Sequence, residues 1–407
     1  MDSSTRQKVR HRPVGRESTG QAELLITRGH ATALGVWLFL GTWVLYSQTL
    51  SFDTGSPDTG ALLTTLSHKL DIALFGDATR GSHAINVFLH ATNCVLLYAF
   101  LWITTHRLWV ALLVGALFAA HPLHVEPVAW IEGRGQLLSA FFAFAALNIY
   151  VRYTRNQQIR TFIAVVLLTA LAVLSDLMAI TLPLLFLCVD LWPLERFKND
   201  PKKSPAHVFR KMIVDKLALM VLTTLVVALA SAAEIASGYG GESGNTGFLD
   251  SITTYLAHAI VPIGLNAKGY DYSLNLFGAT LALLFGLALT FGAALIVRRV
   301  PFVLAGWLWF LIAIAPAALL DSGAHDRHAY LPLAGLLFAV CWAIREFARG
   351  RNIAPRIIIN LVAALVAILC ILSWNQQKYW RDSDAIRLRA INSGWALDDS
   401  GNPIEPN

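Results

Sequence analysis

About eleven apolar runs recur along this chain, and a run of roughly 20 apolar residues is what a helix needs to cross a bilayer. The first lies at 31–50. The others lie near 83–103, 108–121, 136–151, 161–175, 177–193, 217–237, 275–297, 302–320, 331–345 and 356–374. Hydrocarbon leaves no water to satisfy peptide groups, so such runs are expected to fold as helices, the short or Pro-ended ones where they line protein rather than lipid. Composition agrees. Charged residues make up 14% of the 407 residues, against about 25% in soluble domains. The expected fold is an all-α integral membrane protein of about eleven transmembrane helices with irregular outer loops. Residues 253–266 are also apolar, but Pro262 and Gly264 interrupt them, and they read as a re-entrant or interfacial helix.

The charge pattern gives an orientation. Arg6 to Arg28, Arg107, Arg152 to Arg160, Arg196 to Lys216, Arg298 with Arg299, and Arg345 to Arg356 all fall on one side when the runs alternate across the membrane. By the positive-inside rule that side is cytoplasmic. Most acids fall on the other. The net charge of +6 therefore reads as a topology signal. A nucleic-acid groove would need basic residues clustered with aromatics on one face, and none is visible.

Residues 1–30 read as a disordered basic cytoplasmic tail, 31–374 as the transmembrane domain, and 375–407 as a periplasmic or lumenal tail with a short surface helix over 376–392, whose Tyr379, Trp380, Ile386 and Ile391 are placed to rest at the membrane interface. The first run lacks an A-x-A cleavage site and is long for a signal sequence, so it reads as an uncleaved anchor. The location is thus a multi-pass membrane protein with a cytoplasmic N-terminus and an outer C-terminus, in the inner membrane if the source is bacterial. Cys94, Cys188, Cys341 and Cys370 each sit inside an apolar run with no C-x-x-C, which points to packing rather than disulfides or zinc.

Polar residues gather at the outer side. His83, Asn86, His90 and Asn93 are spaced for one face of a helix, either as interhelical hydrogen-bonding groups or as one wall of a polar cavity. The densest group is His121, His124, Glu126, Trp130, Glu132 and Arg134, between two spans and broken by Pro122 and Pro127. His-x-x-His-x-Glu carries metal-ligand residue types, but no helical face converges them, and a hydrated loop is the alternative. A third group is Asp321, His325, Asp326, Arg327, His328 and Tyr330. Arg327 suits a phosphate through paired donors, or a salt bridge to Asp321 or Asp326. The first outer loop offers Asp53, Asp58, His68, Asp71 and Arg80, with Asp53 placed to act as a general base and the rest reading as solvated loop residues. The glycine-rich 238–247 reads as a flexible loop.

These residues carry a resemblance. AAHPLHVEPVAWIEGRGQLLSAFFAFAALNIYVRY resembles the membrane domain of TMTC-type proteins and their bacterial relatives that bear tetratricopeptide repeats. LTTLSHKLDIALFG, LMAITLPLLFLCVDLWPLERF, IVPIGLNAKGYDY, HDRHAYLPLAGL and QQKYWRDSDA agree in order, so the likeness runs from about 31 to 390. The resemblance implies a bundle of the GT-C glycosyltransferase class. It implies transfer of a sugar, mannose in the animal members, from a polyprenyl-phosphate donor to a protein hydroxyl on the lumenal or periplasmic side, with no cofactor. The partners implied are the lipid-linked sugar, an acceptor protein and the bilayer. It places Asp53 and Glu126 as catalytic carboxylates, with Asp53 the base. Arg327 and Arg134 stand near the phosphate. His121, His124, Asp326 and Tyr330 contact substrate, and His83, Asn86 and His90 line the cavity. The chain departs from the family pattern at Ser51-Phe52-Asp53-Thr54, where relatives usually pair two acids, and at Glu132-Gly133-Arg134 and Asp176-Leu177-Met178. Two alternatives stand beside the transferase. One is a non-catalytic scaffold or lipid-carrier-binding descendant, suggested by the lost acids. The other is a flippase of lipid-linked sugars, suggested by the polar residues in the spans.

Overall fold

The computed structural model describes residues 15–53, 61–76, 79–196, 248–262, 276–320 and 325–382, with parts of 210–228 and 384–388 and single short pieces beyond. Helices make up nearly all of it, and the strands described are one antiparallel pair of two residues each, Ala396–Leu397 with Pro403–Ile404. In chain order the α-helices are α1 (Gly15–Leu45), α2 (Leu62–Phe75), α3 (Thr79–Thr105), α4 (Leu108–Ala120), α5 (Val125–Ala129), α6 (Arg134–Asn156) and α7 (Ile159–Ser175). They continue as α8 (Leu182–Leu191), α9 (Phe248–Ile260), α10 (Leu276–Leu295), α11 (Pro301–Leu320), α12 (Tyr330–Gly350) and α13 (Pro355–Gln377). The chain is a multi-pass membrane protein.

Each predicted apolar run is helical where it is described, but the runs differ in length. Among the described residues five helices are long and apolar enough to cross a membrane: Thr79–Thr105, Ile131–Asn156, Pro301–Leu319, Asp326–Gly350 and Arg356–Trp380. A sixth forms if Leu108–Ala120 and Pro122–Ala129, bent by 57°, make one broken span. The runs at 161–175, 177–193, 217–237 and 275–297 appear as the shorter apolar helices Ile159–Ser175, Leu177–Leu191, Leu219–Ala228 and Thr280–Leu295. Among the described residues five or six of the eleven expected spans are therefore full length.

Two boundaries differ from the sequence reading. Residues 15–30 are helical, not a disordered tail, because α1 extends back from the first apolar run through the strong helix formers of Gln21-Ala22-Glu23-Leu24-Leu25. At the other end α13 runs on to Gln377 and a 3-10 turn follows at Lys378–Trp380. Trp380 is buried inside the protein rather than resting at the membrane interface. Ile391, Asp58, Asp321 and the glycine-rich 238–247 lie outside the described residues.

The core centres on α3, which packs against α1, α4 and α6. Tyr98, Phe100, Phe118, Phe144 and Tyr150 fill it. α6 and α7 form an antiparallel hairpin, closed by Gln157 in the left-handed conformation at φ 55°. α11 and α12 form the other close pair. Gly306 and Gly335 face each other there, and a Cβ on either would collide with the other's carbonyl oxygen. Small residues at such a crossing let backbones approach where lipid gives no hydrophobic drive to pack. A second core cluster, with Tyr255, Trp307, Phe310, Ile314 and Leu333, seats α9 on this pair. At the end away from the polar loops, Asp190 accepts from Tyr150 Oη at 2.7 Å and Lys216 Nζ at 2.5 Å and pairs with Arg196 at 3.3 Å, tying α6 to α8.

Candidate active site

Three polar networks converge at the N-terminal ends of α3, α6 and α12. The first is built on Arg134 at the start of α6. Its side chain is completely buried. Nη1 pairs with Asp71 of α2, Nε donates to Asn86 Oδ1 at 2.8 Å, and Nη2 donates to the Ser82 carbonyl at 2.8 Å. Asn86 in turn donates to the Trp130 carbonyl at 3.1 Å, and Ser82 Oγ donates to Asp71 at 2.7 Å. A buried cation is tolerable only when its charge and donors are matched, and here they are. Arg134 is thus engaged by protein groups and locks α2, α3 and α6 together. Asp71, which reads in the sequence as a solvated loop acid, is a buried counter-ion.

Two histidines flank this network. His68 of α2 and His83 of α3 are buried, and among the described residues neither ring nitrogen of either one has a hydrogen-bond partner. His68 titrates near pH 4 rather than 6.5, mainly because burial disfavours the imidazolium; the nearby Arg134 adds to the effect and Asp71 opposes it.

The second network lies one turn deeper. Tyr330, the first residue of α12, hydrogen-bonds His90 Nδ1 at 2.7 Å and accepts from Asn93 Nδ2 at 3.2 Å. His90 Nε2 reaches the Ala119 carbonyl at 3.3 Å. Since a carbonyl only accepts, the proton sits on Nε2 and Tyr330 donates to Nδ1. His124 stacks beside Tyr330 with ring centres 4.6 Å apart and donates from Nδ1 to the Phe118 carbonyl at 2.5 Å. His121 accepts from the Leu123 amide and donates to the Ala259 carbonyl of α9, both at 3.3 Å. The spacing of His83, Asn86, His90 and Asn93 does put them on one buried face of α3. Asn86, His90 and Asn93 serve as interhelical hydrogen-bonding groups.

The third network carries exposed chemistry. Glu126 of α5 accepts from the Arg327 backbone amide and from its Nη1, both at 3.1 Å. The Arg327 guanidinium lies over the Trp130 ring, 5.2 Å from its centre, and its Nε donates to His328 at 3.1 Å. The sequence offered Asp321 or Asp326 as its ion-pair partner; the partner observed is Glu126, because α5 turns the 121–134 loop under the 325–330 loop. Asp326 faces away and lies 3.9 Å from His258 of α9. Arg327, Tyr330, Gln136 and Asp176 line a cavity of about 30 Å³, room for a water or so. Asp176 also accepts from the Met178 amide at 2.8 Å.

Asp53 stands at the open edge of this assembly. A 3-10 turn at Ser47–Ser51 ends α1, and Asp53 then pairs in parallel with Asp382, its amide donating to the Arg381 carbonyl at 3.0 Å. Its side chain is exposed. Phe52 packs edge-on to His83 at 6.2 Å, and Trp380 lies 5.9 Å from Trp130. The 378–382 segment therefore bridges Asp53, through Arg381, and the Trp130 ring under Arg327, through Trp380. Among the described residues no three His, Cys, Asp or Glu side chains form a metal-binding group. The His121 ring nitrogens are engaged by backbone groups, and Glu126 by Arg327.

No family model matches the chain. Curated relatives do. The chain is 34% identical over 149 residues, 36% of its length, to a Drosophila melanogaster protein named protein O-mannosyl-transferase Tmtc1. It is 32% identical over 132 residues to the Caenorhabditis elegans protein O-mannosyl-transferase F38B6.6, covering 31% of the chain. It is 33% identical over 125 residues to human protein O-mannosyl-transferase TMTC2, covering 30%. Over the matched stretch the chain is similar to TMTC-type proteins. It spans only 17%, 18% and 15% of the lengths of those three relatives.

The structure brings together most of the residues the sequence singled out. Glu126 meets Arg327, Tyr330 meets His90 and His124, and Arg134 meets Asn86. Sequence reasoning missed the pairing of Trp130 with Trp380, and the place of Asp176 beside Arg327. One signal for Asp176 was present: it is a lone acid between two apolar runs, a costly position that calls for a reason.

Proposed function

We propose that this chain is a membrane glycosyltransferase of the GT-C class, moving a sugar from a polyprenyl-phosphate donor to a protein hydroxyl at the outer face. The similarity to proteins named protein O-mannosyl-transferases supports the class. The observation that carries the reading is that one segment, 378–382, meets the exposed carboxylate Asp53 through the Arg381 carbonyl and, through Trp380, the Trp130 ring that carries the partly exposed cation Arg327. In the proposed reaction the acceptor oxygen attacks the anomeric carbon and its proton passes to Asp53. The bond from that carbon to the phosphate oxygen breaks, and the electron pair leaves with the phosphate. Arg327 offers Nη2, which lies outside its bonds to Glu126 and His328, to the developing phosphate charge. Preorganised charge of this kind needs no rearrangement at the moment of reaction. Glu126 acts by holding Arg327. Arg134 and its partners act one layer behind, fixing Trp130 through Asn86. His121, His124 and Tyr330 set the loop that carries Glu126, and Asp326 anchors the opposite loop toward α9.

The orientation belongs to the same proposal, with the N-terminus cytoplasmic and the Asp53 side periplasmic or lumenal. The basic clusters at 152–160 and 345–356 lie at the other ends of the helices that carry the site. The test is transfer by the purified protein from a panel of radiolabelled polyprenyl-phosphate sugars to candidate acceptor proteins, beside a repeat-bearing relative. Label in an acceptor is expected. No label where the relative transfers would overturn the activity and favour a carrier-binding protein without turnover.

A further inference from the structure

A groove of about 450 Å³ runs between the outer halves of α1 and α13, a volume inside the roughly 300–1,000 Å³ range of small-molecule sites. Gly41, Val44 and Leu45 form one wall; Ile371, Trp374 and Asn375 form the other. We propose that this groove seats the lipid chain of a polyprenyl phosphate with its phosphate toward Lys378. This rests on the transferase reading above, and it names where the donor lies.

Four observations carry it. The groove is apolar along its walls and becomes polar only at its Asn375 end. A cation stands at that end: Lys378 Nζ donates to Asn375 Oδ1 at 3.2 Å, so its charge meets a neutral partner there. An apolar channel capped by a lysine is complementary to a hydrocarbon chain ending in a phosphate. Next, two hydrogen bonds tie the walls to each other. Gln48 Nε2 donates to the Trp374 carbonyl at 2.7 Å, and Gln377 Nε2 donates to the Leu45 carbonyl at 3.1 Å. Walls fixed to one another, with the groove open along its side, admit a chain laterally from the bilayer. Finally, the segment that follows Lys378 puts the Arg381 carbonyl on the Asp53 amide and Trp380 on Trp130. A phosphate at Lys378 would therefore present its sugar toward Asp53. Arg381 is paired with Asp382 at 3.6 Å, so within the 378–382 segment Lys378 is the cation that joins Arg327 on the phosphate.

Gly41 supplies a clean perturbation. A Cβ placed there meets nothing within 4 Å, because it points into open space. Gly41→Leu would fill the groove without displacing a packed neighbour. The probe is a polyprenyl phosphate carrying a diazirine in its chain, photolysed with the full-length protein in nanodiscs of phosphatidylethanolamine and phosphatidylglycerol. The expected result is label on peptides containing Gly41–Leu45 and residues 370–375, competed by unlabelled polyprenyl phosphate and not by added phosphatidylglycerol. Gly41→Leu should reduce that label about tenfold. Lys378→Gln should weaken labelling by the phosphate probe and leave labelling by the matching prenol unchanged. Wild-type labelling of Gly41→Leu, equal competition by phosphatidylglycerol, or label confined to other helices would overturn the proposal. Sugar transfer is measured in the same samples. Transfer without groove labelling removes the groove and keeps the activity; groove labelling without transfer keeps the groove and removes the activity.

Discussion

Glu126 receives the backbone amide and Nη1 of Arg327, each at 3.1 Å, across a separation of 201 residues. One carboxylate thus joins the loop after α4 to the loop before α12 and fixes the guanidinium over Trp130. Removing one partner of a buried ion pair costs about 3–5 kcal/mol. The Arg327 side chain is 20% exposed, so part of its charge stays solvated. We expect Glu126→Ala to lower stability by about 2 kcal/mol and Glu126→Gln by less, because Gln still accepts from the amide. Thermal unfolding of detergent-solubilised protein measures both.

Arg134 and Asp71 should respond more strongly. Both are buried, and Arg134 serves three elements at once. Asp71→Ala leaves the guanidinium without its counter-ion and is expected to cost about 3–5 kcal/mol. Replacing both with apolar residues should recover a large part of that loss. A double-mutant cycle on thermal stability checks it, and additive single effects would contradict the pairing.

The fold and the grouping of polar residues were largely legible in the sequence, and the partners were not. Spacing alone put His83, Asn86, His90 and Asn93 on one face of α3, since helical periodicity is a local property. That Asn93 and His90 both meet the Tyr330 hydroxyl depends on where α12 lies, which no local pattern encodes. Asp71 and Arg80 looked alike in the sequence; Asp71 is buried because α2 lays it against Arg134, and Arg80 is exposed. Trp380 looked like an interfacial aromatic, because its partner Trp130 is far away along the chain. Apolar composition does not separate a full crossing from a short helix packed among its neighbours, so the sequence does not tell the five or six full-length spans among the described residues from the shorter apolar helices.

Tyr330→Phe tests the deeper network. It removes the one hydroxyl that serves both His90 and Asn93 and leaves both groups buried without that partner. The expected loss is about 1–3 kcal/mol of stability, read as a lowered Tm with helical content unchanged. A Tm equal to wild type would show that the hydroxyl contributes nothing net.

His68 predicts a pH dependence. Its pKa is about 4 in the folded protein against 6.5 for the free side chain. The unfolded chain therefore binds the proton first as pH falls, and the folded state loses stability between about pH 6.5 and pH 4. The contribution is fully present above 6.5. Unfolding temperatures across that window should fall with pH, and His68→Leu should flatten the part of the slope due to this residue. An unchanged slope in the variant would assign the dependence elsewhere.

The most direct test of the central claim is the transfer rate of Asp53→Asn with a saturating polyprenyl-phosphate sugar, alongside its affinity for that donor. Asn keeps the size and the backbone bridge to the 378–382 segment but cannot take a proton. A general base contributes about 10²–10⁴-fold, so the account predicts a fall in kcat of that order with donor binding unchanged. Transfer at the wild-type rate would contradict it and remove Asp53 from the chemistry.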